Sequence, residues 1–160
     1  MRDERYIALH RGGPLSLQRH RLLAAWAADC AERVLPLFVS QHPADNRPWQ
    51  AIEAARAWSR GEITVGEARA ASVAAHAAAR QAEEGAARFV ARAAGHAVAT
   101  AHMADHAPGA AIYALQAIRA ATNKQEAVVQ EHSWQTERLP EEIRELVLST
   151  FKGKYAYLEL

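Results

Sequence analysis

The chain has 160 residues, half of them hydrophobic and 23% charged, which suits one compact globular domain and excludes a disordered chain. Lys+Arg 19 against Asp+Glu 18 gives a formal charge of +1, so net charge lends no support to a nucleic-acid surface. The single cysteine, Cys30, can form neither an internal disulfide nor a zinc cluster.

That cysteine usage points to a reducing, cytoplasmic setting. Met1–Arg5 mixes both charge signs with no long apolar run behind it, which is not the pattern of a secretory signal. The most apolar stretch, 93–104, is shorter than the roughly 20 residues that cross a bilayer, so no membrane association is expected.

An N-terminal arm is expected over 1–15. Ser16 is placed to cap a first helix, whose apolar positions Leu23, Trp26, Ala27, Cys30, Val34 and Phe38 recur every three or four residues. Pro36 should kink or end it. Pro48 near a first helical position opens a second helix that Gly61 stops. Thr64-Val65-Gly66-Glu67 has the capping-box form and starts a third, reaching about Ala82.

Gly85 breaks the pattern before a fourth helix over 86–104. Asp105 then stands as the cap of a fifth, with Pro108 in its first turn and an apolar stripe of Ile112, Leu115 and Ile118. Asn123 with Glu126 repeats the cap-and-acid arrangement ahead of a sixth helix or bent continuation. Pro140, Glu141 and Glu142 begin the last one. Residues 153–160 alternate weakly around Tyr155 and Tyr157 and read as a short non-helical tail, a strand or a packed arm. The expected architecture is therefore one all-α domain, a bundle of six or seven alanine-rich helices over 16–152. Alanine makes up about a quarter of the chain, which lets helix axes approach toward the lower end of the 8–10 Å range.

The chain carries no GxxxxGK[ST], GxGxxG, GxSxG or HExxH, and so no complete catalytic motif; an enzyme is not expected and no cofactor is called for. Chemistry concentrates in 94–107. His102 and His106 share a face on a continuous helix and could hold one metal, with Asp105 as a third ligand or as the group orienting an imidazole. If instead the helix ends near Asp105, as Pro108 implies, His102 meets the terminal carbonyls and His106 joins the turn. His76 and His96 lie on largely apolar faces, where a histidine is usually a hydrogen-bonded core residue. Gly95 inside the helix costs about 1 kcal/mol against alanine and implies a close backbone approach. His96, His102, Asp105, His106 and Tyr113 are the candidate partner- or ligand-binding residues. His96 and one of His102 or His106 are expected to be substantially buried and hydrogen-bonded, with the Asp105 carboxylate within reach of an imidazole or a free helix amide.

The run Ala94-Gly95-His96-Ala97-Val98-Ala99-Thr100-Ala101-His102-Met103-Ala104-Asp105-His106-Ala107, continuing to Ala117, resembles the central signature of a bacterial family of Imm-5-like immunity proteins. Arg47-Pro48-Trp49-Gln50-Ala51-Ile52 through Trp58 is similar to the first half of the same family, and the resemblance spans about 46–134. It implies a cytoplasmic helical protein that neutralises a cognate toxin by binding it, and it carries over no catalytic residues. Trp49, Trp134, Tyr113 and the Glu83-Glu84 turn are candidates for such a binding surface. Two other readings stand beside it. One is a small metal- or ligand-binding protein, an enzyme among the options, using the His/Asp cluster at 96–106; the other is a homo-oligomerisation module.

Overall fold

The computed structural model describes residues 2–160. Eight α-helices follow one another: α1 Leu17–Val34, α2 Pro36–Val39, α3 Arg47–Ser59, α4 Val65–Gln81, α5 Ala86–Ala99, α6 His106–Thr122, α7 Gln125–Glu137 and α8 Glu141–Lys154. Among the described residues the only β contact is an isolated bridge between Ala8 and Leu15. One helix more than expected arises because Pro36, with no amide hydrogen to donate, ends α1 and starts a separate single turn.

Local signals set most boundaries. Ser16 Oγ accepts from the Arg19 amide at the head of α1, and Thr64 and Glu67 form the reciprocal capping box of α4. Gly61, at φ +76°, terminates the stretch after α3. Three expectations are corrected. Asn123 does not cap α7; it closes α6 in the left-handed conformation, which asparagine tolerates well. The helix expected over 86–104 stops at Ala99, and turns occupy 100–105 before α6. The tail is not a strand: α8 runs to Lys154 and a 3₁₀ turn, Ala156–Leu158, tucks Leu158 against the body.

Helix α5 is the centre of the molecule, packed by α6, α4, α3, α1 and α2. Its sequence explains the position, because Ala87, Val90, Ala91, Ala93, Ala94, Ala97, Val98 and Ala99 are buried all round the helix rather than along one stripe. Small side chains admit five neighbours; Trp26, Phe38, Ile52 and Leu115 fill the spaces left between them. Trp26 donates its Nε1–H to the Gln135 carbonyl at 2.8 Å, and the Gln135 amide reaches the Ala111 carbonyl at 3.1 Å, which ties α7 to both α1 and α6. The N-terminal arm is fastened down rather than free. Tyr6 is buried with its hydroxyl 2.8 Å from Thr150 Oγ1 on α8, and Leu15 is equally buried.

Candidate functional site

Two glycines create the ground on which the histidines meet. A Cβ at Gly95 would stand 2.7 Å from Cε1 and Nε2 of His76, and one at Gly109 would stand 2.8 Å from Nδ1 of His96. The missing side chains therefore let the His76 ring of α4 lie on the backbone of α5, and the His96 ring of α5 lie on that of α6. His96 and His106 face each other through their Nδ1 atoms at 3.2 Å, one donating and the other accepting. The His76 ring meets His96 edge-on at 5.5 Å, and Tyr113 packs on His96 at 4.9 Å. His102 ends the row, 5.5 Å from the His106 ring.

Burial is the main reason that these imidazoles resist a proton. It pushes His96 down to about 3, helped by the neighbouring His106 and His76, and His76 to about 4, with Arg92 adding to the effect. His102 and His106 are lowered in the same way, although the Asp105 carboxylate pulls against the shift in His106. Arg92 donates from Nη1 to His76 Nδ1 at 3.0 Å, which fixes that imidazole's proton on Nε2. The result is a ladder of neutral rings joining α4, α5 and α6.

The structure brings together His96, His106 and Tyr113, and adds His76. His102 stands at the end of the row without a hydrogen bond to it, and Asp105 is left out. The Asp105 carboxylate makes no cap hydrogen bond and touches no imidazole; Oδ1 is buried without a partner, and Oδ2 lies 3.7 Å from Arg2 Nε. Asp105 sits at φ −68°, ψ −5°, a helical conformation rather than the extended one from which a capping side chain folds back onto the free amides. His96 and His106 are half-buried and bonded to each other, while His102 Nδ1 is buried with no partner. Among the described residues no three His, Cys, Asp or Glu side chains are grouped to hold a metal, so the arrangement expected for a metal centre is not formed. Cys30 is fully buried and its thiol is pushed well up by desolvation, which makes it an inert core residue.

Sequence reasoning missed a second constellation. Between residues 2–11, the first turns of α1, the end of α3 and the 100–105 turn lies a cavity of about 260 Å³. Arg2, Arg11, Arg21, His10, His20 and His102 line it together with Trp58, and no carboxylate does. His20 bonds the Thr100 carbonyl through Nε2 at 2.5 Å and packs on Trp58 at 4.7 Å, holding the turn that carries His102. Arg11 and Arg21 belong to different segments, and no spacing rule signals that they will meet. Of the expected surface residues, Trp49 is 43% exposed and the Glu83-Glu84 turn is exposed. Trp134 is half-buried, with the Arg33 and Arg138 guanidinium groups each 4.6 Å from its ring.

A family model described as "Imm-5 like putative immunity protein" matches residues 13–142, well beyond the 46–134 read from the motifs. No curated protein and no solved structure matches the chain. No helix among the described residues is long and apolar enough to cross a membrane.

Proposed function

Because the chain belongs to the Imm-5-like immunity family, we propose that it is a non-enzymatic, cytoplasmic binding protein that neutralises a cognate bacterial toxin by direct contact. The match over residues 13–142 carries this reading. The character of the histidine ladder supports it: neutral imidazoles engaged with one another and with helix backbones join α4, α5 and α6. Occlusion of a toxin needs surface anchors rather than reactive groups, and aromatic and arginine side chains are the types that dominate such interfaces. Exposed Trp49 and the Arg33–Trp134–Arg138 stack are of those types.

The test is growth rescue. The chain is co-expressed with the products of genes adjacent to its own, and a product that arrests growth alone and is silenced by this chain, with a complex recovered by affinity capture, is the expected result. Absence of a toxic neighbour, or continued arrest in the presence of abundant soluble chain, overturns the reading.

A further inference from the structure

The cavity beside the N-terminal segment has no part in the proposed toxin contact, and its chemistry is one-sided. Two arginines and three histidines from separate segments, Arg11, Arg21, His10, His20 and His102, line it, and no carboxylate does. Arg11 and Arg21 have no carboxylate partner among the described residues, yet both line this one cavity. Arg2 at its edge has Asp105 at 3.7 Å.

Two buried polar atoms point the same way. Arg21 Nε and His102 Nδ1 are shielded from solvent with no hydrogen-bond partner, and both belong to side chains that line the cavity. A buried donor left unmade costs about 1–3 kcal/mol, more when charged, so Arg21 Nε marks a missing acceptor, and His102 Nδ1 becomes a second donor in its Nδ1–H tautomer. The Arg21 guanidinium packs over Gly61, where a Cβ would come within 3.1 Å of Nη2. Trp58 and Ile63 contribute apolar wall, which strengthens any charge interaction formed inside. The volume of about 260 Å³ lies below the range of drug-sized sites and suits a compact charged group with a short body.

We propose that this cavity is an oxyanion site that takes a phosphate group, free or carried by a small phosphorylated compound, between Arg11, Arg21 and His102. Guanidinium groups match phosphate through paired N–H donors, and three cationic or donor side chains from three segments would close around it. The site is independent of toxin binding and stands or falls separately.

Calorimetric titration of the full chain with inorganic phosphate, against chloride at equal ionic strength, tests the proposal. Saturable one-to-one binding with Kd of about 1 mM or tighter is expected. Phenyl phosphate binding more tightly than inorganic phosphate assigns a phosphorylated compound that uses the Trp58 wall; equal or weaker binding assigns free phosphate. The Arg11→Gln/Arg21→Gln double variant should weaken phosphate at least about tenfold. Leu17→Glu is the second variant: Leu17 is the exposed first residue of α1 and lines the cavity, where an acid suits the helix end and stands one turn before Arg21. Its carboxylate should occupy the guanidinium itself and abolish phosphate binding in a folded protein. No saturable heat with wild-type chain, or undiminished binding in Leu17→Glu with wild-type circular dichroism, overturns the proposal.

Discussion

Acidification should unfold this protein through its histidine ladder, and the size of the effect follows from His96. In the unfolded chain His96 takes up a proton near its ordinary value of 6.5, whereas in the folded protein burial holds it to about 3. Above 6.5 both states are neutral at this site and it contributes no pH dependence. Below 6.5 the unfolded state binds more protons than the folded one, so stability falls as pH falls, by about 1.4 kcal/mol per unit until the folded value is reached. At about pH 4.5 the loss assigned to His96 is therefore about 2–3 kcal/mol, a large part of the 5–15 kcal/mol typical of a domain. His76, held to about 4 but more open to solvent, adds to it in the same direction. Urea titrations of the wild type and His96→Gln, each at about pH 7 and about pH 4.5, isolate the contribution. The difference of differences cancels carboxylates common to both proteins. Acidification should cost the wild type at least about 2 kcal/mol more than it costs His96→Gln. Equal losses would refute the assignment of a proton-resistant His96.

Gly95→Ala should lower the melting temperature even though alanine is the better helix former by about 1 kcal/mol, because the new methyl meets the His76 ring at 2.7 Å and overpacking costs about 1–3 kcal/mol. His76→Ala in the same chain should restore it. Gln135→Ala should cost about 1–3 kcal/mol by urea titration, since it empties a fully buried site and removes the hydrogen bond that joins α7 to the Ala111 carbonyl of α6. Cys30 should react with a thiol reagent only at the rate of unfolding, and rapid modification of the native protein would contradict its burial.

The helices were legible wherever the signal was local. Ser16, Pro36, Gly61 and the Thr64–Glu67 box act within four residues of themselves, and each does in the structure what its chemistry requires. Asn123 misled because one residue type serves opposite ends of a helix: the Asn-x-x-Glu spacing suggests a start, while the left-handed conformation it adopts makes a stop. The site was legible in part. Alanine surroundings made His96, His106 and Tyr113 conspicuous, and Gly95 announced a close approach, but that His76 fills this approach depends on how α4 crosses α5. Asp105 looked like a cap by type and position, and its backbone conformation removed it. The cationic cavity was invisible, since Arg11, Arg21 and His102 share no element and converge only after the N-terminal segment has docked beside Trp58.

The central position of α5 has a kinetic consequence. A helix enclosed by five others cannot expose its amides by fraying or by local opening, so its hydrogens should exchange with solvent only when the whole molecule unfolds. Helix α7 rests mainly on α6 and is tied to α1 by the Trp26–Gln135 hydrogen bond, so with fewer neighbours than α5 it should open more readily. Exchange rates should therefore rank the helices by how many neighbours hold each one, slowest at α5 and fast at α7, and the alanines of α5 mark the last part of the fold to meet water.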